Sequence, residues 1–287
     1  MRNDSFTGKA VVLFLLLVII LSAVIEAAYC MGGPEWLVAI LMWTPALSAF
    51  IAAAASIHGN GEKLSFKALR TLLGIKICRL RYILAGVAIP FIYLFIPYRI
   101  YWTMHPENYA YSGVSLLLVL KDVGLYTVVC LLMSMLTAAG EEIGWRGFML
   151  PALLERIGTA KSIATVSLFW CFWHFPLLIW GGYMEGTPLW YQLVSFVLCI
   201  FPVGIIAAIL TMQSGSVWPA AFLHAAHNTY DQMLFGVITR GDDKMYYVSE
   251  TGLLTILCVW LIAILMYNRF RKRRMDAALT GDDGRTK

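Results

Sequence analysis

The sequence predicts an all-α polytopic transmembrane helical bundle of about eight spans with both termini cytosolic, and three observations carry that reading. Of 287 residues, 60% are hydrophobic and 14% charged, with a mean hydropathy of +0.73, whereas soluble domains run near half apolar and a quarter charged. Several apolar runs approach the ~20 residues that a helix needs to cross a ~30 Å hydrocarbon layer. No window alternates polar and apolar residues over the ~10 positions of a membrane strand, which leaves helices, whose backbone groups are satisfied internally.

The runs lie near residues 10–29, 36–57, 82–101, 113–139, 162–180, 189–212, 217–237 and 252–268. The first has the charged flank of a signal peptide but no small-residue cleavage site, so it reads as a retained span. Lys121 and Asp122 interrupt the fourth, whose crossing is expected to start near Val123, with Val114 to Leu120 at the interface. With the N-terminus inside, segments 1–9, 58–81, 140–161 and 269–287 hold 18 of the 22 Lys and Arg residues, and Arg99, Lys121, Arg240 and Lys244 fall outside. That bias is the positive-inside pattern of an even number of crossings.

The chain reads as a single membrane domain over residues 1–287, multi-pass in the plasma membrane, with a catalytic core at about 123–237 and a basic cytosolic tail at 269–287. The tail's RFRKRR is a topology anchor with anionic lipid in reach. The net charge of +5 sits beside the spans and not along one soluble face, so no nucleic-acid partner is expected. Six scattered cysteines without Cys-x-x-Cys indicate neither a disulfide framework nor a thiolate metal site.

Ionisable groups inside spans are costly, at ~2.5 to 3.5 kcal/mol each near mid-bilayer, and three places collect them. Glu141, Glu142 and Arg146 end the fourth span, His174 lies in the fifth, and His224, His227, Asn228 and Asp231 lie in the seventh. Glu142 and Arg146 are four apart and share a helix face, while Glu141 points about 100° away and is free to meet a water or a substrate. The four polar residues of the seventh span fall on one arc of about 100°, which must face the bundle interior. Counted from the inner surface, His174 is ~18 Å deep and His224 ~10 Å deep. The expected picture is a wet cavity, open to the cytosol and lined for acid/base work. Either His224 with Asn228 or His227 with Asp231 fits its histidine and polar partner, and Asp231 is a candidate to orient a histidine. Glu26, near the outer end of the first span, is expected to snorkel to the interface.

These residues resemble, in order and on separate spans, the three motifs of the CPBP family of intramembrane endopeptidases, which includes CAAX prenyl proteases and bacteriocin-processing or self-immunity proteins. Glu141, Glu142 and Arg146 match Glu-Glu-x-x-x-Arg; Trp170 and His174 match Phe-x-x-x-His with Trp in place of Phe; His224 and Asn228 match His-x-x-x-Asn. The aromatic exchange bears on the shape of the substrate groove more than on the chemistry. The resemblance implies that Glu141 and His174 activate a water and that His224 and Asn228 hold the tetrahedral oxyanion. Glu142 and Arg146 then form a supporting pair. It also implies a membrane-anchored, prenylated or leader-peptide substrate in the lipid bilayer.

A competing chemistry places zinc on Glu141, His174 and His224 with one open position. The sequence lacks His-Glu-x-x-His, and Asn228 is a better oxyanion donor than zinc ligand, so no cofactor is the favoured expectation. Gly-x-Ser-Gly and Gly-x-Gly-Asp, marks of other intramembrane proteases, are absent. The alternatives to hydrolysis are a non-catalytic binding or self-immunity protein of the same frame and a transporter, the last disfavoured because no repeated halves are visible.

Overall fold

A computed structural model of the chain describes residues 6–280. Arg2, Arg285 and Lys287, counted above among the inner charges, and residues 281–287 of the basic tail lie outside the described residues.

The described residues form helices joined by short connections, with one isolated bridge between Tyr109 and Thr239. Helix α1 (Gly8–Cys30) starts where the Thr7 side chain accepts from Ala10 N at 3.1 Å. The second span is α2 (Trp36–Leu41) followed after a short break by α3 (Thr44–Gly59), with Pro45 in the first turn of α3 where its missing N–H costs nothing. The short α4 (Phe66–Leu72) is capped by Ser65, and α5 (Leu80–Met104) carries Pro90 and Pro97 inside it. Helix α6 (Leu116–Glu142) passes directly into a π-helical segment (Ile143–Met149) and then α7 (Leu150–Ile157).

Gly158, at φ 76°, turns the chain into α8 (Thr159–Trp173), which breaks at His174 before α9 (Phe175–Trp180). Helix α10 (Leu189–Ser214) ends on the left-handed Gly215. Helix α11 (Trp218–Asn228) continues as a second π segment (Thr229–Phe235), and α12 (Lys244–Tyr247) and α13 (Leu253–Thr280) close the chain. π turns concentrate at functional sites, and here each begins within a turn of a predicted site residue.

Seven helical stretches among the described residues are long and apolar enough to cross a membrane. The eighth expected span, 217–237, is helical over Trp218 to Phe235 but too polar to count among them. It runs from the connection that holds Val217 to the one that holds Ile238 as the central helix, packed against α5, α6 and α10, so its polar stripe meets protein and not lipid. A correction concerns residues 140–161, expected as an inner connection. The helix carries on through Ile157, and Glu141, Glu142 and Arg146 are fully buried, so Arg146 is a core residue and not a surface topology charge. Close packing permits this: a Cβ on Gly144 would stand 2.4 Å from Pro45 Cβ, and one on Gly140 2.5 Å from the Met42 carbonyl oxygen.

Hydrogen bonds between connections define two ends of the bundle. At the basic end, Val217 N donates to Gly74 O at 3.1 Å, Ser216 Oγ to Lys76 O at 2.6 Å, Arg156 to the Phe6 carbonyl and Arg274 to Thr159 Oγ1. At the other end, Ala110 N donates to Ile238 O, Arg240 N to Asn108 O and the Tyr183 hydroxyl to Glu250. Large apolar side chains such as Leu16, Ile20, Leu125, Leu132 and Leu261 are more than half exposed around the perimeter, the surface that lipid covers. Glu26 does not snorkel outward: it is 6% exposed, and its Oε1 has no hydrogen-bond partner among the described residues.

Candidate active site

Glu141, His174, His224 and Asn228, from α6, the α8–α9 break and α11, line one cavity of about 380 Å³. Trp170, His227 and Glu250 line it too, and Asp231 does not. The convergence of three separate helices, inferred above from polarity alone, is therefore a feature of the fold.

The first motif splits as its helical spacing predicts. Arg146 Nη1 donates to Glu142 Oε1 at 2.9 Å, while Glu141 turns to the cavity. The same Glu142 Oε1 lies 3.1 Å from His224 Nδ1, so Glu142 joins the first motif to the third. An ionised carboxylate only accepts, which places the Nδ1 proton on His224.

Trp170 is the hub of the site, and its role differs from the expectation. Its Nε1–H donates to Glu141 Oε2 at 2.7 Å, a contact that phenylalanine cannot make, so the exchange of Phe for Trp bears on the candidate carboxylate and not only on the cavity wall. The Arg146 guanidinium lies 4.3 Å over the same indole, and the His224 ring meets it edge-on at 5.2 Å. With Oε2 engaged, Glu141 Oε1 is left for a water or a substrate.

His174 caps α8, where the chain breaks ahead of Pro176. Its Nδ1 lies 2.8 Å from the Trp170 carbonyl oxygen. A carbonyl only accepts, so Nδ1 carries the proton, and the neutral ring presents a basic Nε2. Phe196 at 5.3 Å and Trp173 at 5.0 Å hold the ring from its sides.

The alternative pair is bonded otherwise. His227 lies between the Tyr93 hydroxyl, 2.8 Å from Nδ1, and Glu250 Oε1, 3.0 Å from Nε2. Asp231 accepts from the Tyr98 hydroxyl at 3.0 Å and from Ser249 Oγ at 2.6 Å, and bonds no histidine among the described residues. The orienting carboxylate is Glu250, which also accepts from the Tyr183 hydroxyl at 2.9 Å and from Gln232 Nε2 at 3.3 Å. Burial pushes the Glu250 carboxyl up, but the hydrogen bond and charge of His227 and the Tyr183 hydroxyl outweigh it and hold the group below the ordinary carboxylate range. Sequence reading missed Glu250; the signal was His227, a third intramembrane histidine for which only Asp231 was offered as a partner.

One further expectation changes. The cavity reaches Tyr29, Gly181 to Met184 and Glu250, residues of the end opposite the basic one, so it does not lie toward the basic connections as the depth count from the inner surface implied. Among the described residues, no three His, Cys, Asp or Glu side chains are grouped to hold a metal ion. Glu141, His174 and His224 thus share a wall without forming a ready donor set for zinc.

Residues 123–230 match the model of a family described as type II CAAX prenyl endopeptidase Rce1-like. A curated relative, CAAX prenyl protease 2 of Methanococcus maripaludis, is 31% identical over 147 residues, covering 50% of this chain and 51% of the relative. The chain spans about half the length of the curated relative it matches. The family match takes in the segment that carries all three motifs, and it agrees with the resemblance of those motifs to a family that includes CAAX prenyl proteases.

Proposed function

We propose that the protein is an intramembrane endopeptidase that hydrolyses a peptide bond in a membrane-anchored peptide, by water activation on carboxylate and imidazole without a metal. The observation that carries this reading is the placement of Glu141, His174, His224 and Asn228 on one cavity wall. Water bound at Glu141 Oε1 attacks the carbonyl carbon of the scissile amide. Its proton passes to Glu141, with the basic Nε2 of His174 sharing the task, and then to the departing amine as the C–N bond breaks. Asn228 donates its amide N–H to the oxyanion, and His224 does so through Nε2 when that nitrogen is protonated. Because Nδ1 of His224 already carries a proton toward Glu142, the donating form is the imidazolium, which ionised Glu142 stabilises.

The similarity to a CAAX prenyl protease suggests a lipidated C-terminal peptide as substrate. The basic end, with Lys76, Lys161 and Arg269 to Arg274, belongs in the cytosol by the positive-inside rule. Both termini then lie there, and substrate meets the cavity from the half of the bundle nearer the opposite surface. The test is cleavage of a membrane-anchored reporter peptide by purified protein. Glu141→Gln, close in shape but unable to take the proton, is expected to abolish turnover with folding intact. Unchanged turnover in that variant rejects the mechanism.

A further inference from the structure

A second cavity, about 520 Å³, lies at the basic end. Lys76 from the α4–α5 connection, Arg146 from the π segment and Arg274 from α13 line it with the hydroxyl residues Thr159 and Thr211, and among the described residues no Asp or Glu lines it. Gly215 has no side chain to obstruct it, and the Lys76 ammonium sits 3.2 Å from where a Cβ would stand. Arg274 is held at the wall by Thr159 Oγ1 and the Phe270 ring. Arg146, 1% exposed, gives only Nη1 to Glu142; its Nε and Nη2 have no acceptor among the described residues.

Three cations from distant parts of the chain thus converge on a hollow with no acid among its described lining residues, and of the three Arg146 has Glu142 behind it. Leu150, Leu154, Val217 and Phe270 form an apolar wall beside them. A phosphate offers several acceptor oxygens to Lys and Arg donors, and basic pockets between membrane helices suit anionic headgroups. We propose that this cavity is a binding site for a phosphate-bearing anion, with the headgroup of an anionic phospholipid as the source that uses both walls. Arg146 stands between this site and Glu142, whose Oε1 contacts both Arg146 and His224.

The test uses the full-length protein purified in detergent, and retained phosphatidylglycerol and phosphatidylcholine are measured by native mass spectrometry. A parallel arm follows thermal unfolding during titration with inorganic phosphate. The variants are Lys76→Ala with Arg274→Ala, and a charge-matched control, Lys272→Ala with Arg273→Ala, in the exposed part of α13. Preferential retention of phosphatidylglycerol, weakened about tenfold or more in the pocket variant and little in the control, supports the lipid headgroup. Stabilisation by phosphate alone, lost in the pocket variant and kept in the control, supports the anion site with a soluble source. Equal loss in both variants reduces the effect to tail electrostatics and overturns the proposal, as does equal binding by the wild type and the pocket variant. Circular dichroism of each variant separates lost binding from lost fold.

Discussion

Trp170 Nε1 donates to Glu141 Oε2 at 2.7 Å, with both groups buried. The indole therefore orients the carboxylate that is proposed to activate water. Trp170→Phe keeps an aromatic ring and removes the N–H. A hydrogen bond to a charged group contributes about 1.5–3 kcal/mol, so kcat is expected to fall by about 10- to 100-fold, with KM nearly unchanged because the substrate wall remains aromatic. Steady-state cleavage of a membrane-anchored reporter measures both constants.

The buried pair of Glu142 and Arg146 is costly to split. Arg146→Ala leaves Glu142 buried with His224 as its remaining partner and is expected to destabilise by about 3–5 kcal/mol. Replacing both residues by apolar ones of similar volume, Glu142→Leu with Arg146→Met, removes the unpaired charge and is expected to cost less than the single change. Thermal unfolding in detergent compares the two; a double variant less stable than the single one refutes the account.

Glu250 ties His227, Tyr183 and Gln232 together, and its carboxyl is held below its ordinary value. A depressed carboxyl contributes stability that is fully present above its unfolded pKa of about 4.3 and is lost as pH falls through the folded value. Stability is therefore expected to drop on acidification below about pH 4, and Glu250→Gln to be less stable at neutral pH with a shallower acid drop. Denaturant midpoints across pH 3–7 give both slopes.

Gly144 faces the backbone of Pro45, where a Cβ would approach to 2.4–2.8 Å of three atoms. Gly144→Ala must push α3 away and is expected to cost about 1–3 kcal/mol. Gly124→Ala, with open space around it, is the control on the same run of helix and is expected to be neutral or slightly stabilising. The separation of their unfolding midpoints checks the prediction.

Much of this molecule is visible in its sequence because lipid imposes a harsh filter. Only long apolar helices pass it, so the runs at 10–29 or 189–212 could be read directly, and a carboxylate among them marks itself by its cost. Helical spacing alone separated Glu141 from Glu142. Features that depend on neighbours were not legible. The continuation of α6 past Glu142 rests on packing against Pro45, and an Arg-Glu pair looks the same in a list of residues whether wet or buried. The indole N–H of Trp170 has no meaning until Glu141 stands beside it. Glu250 lies in a polar connection where an acid attracts no notice, yet the chain folds it back to within 3.0 Å of His227. The two π segments escape any reading based on a 3.6-residue period.

Arg146 lines the hollow at the basic end, while its neighbours Trp170 and His224 line the one that reaches the other end. The protein is built as two cups set base to base, with Arg146, Glu142 and the Trp170 indole as their common floor. In the proposed reaction, which brings water to Glu141, this floor separates the reaction cavity from the basic hollow. The wall between the two compartments is about one layer of side chains thick, and it is made of the same contacts that hold Glu141 and Glu142 in place.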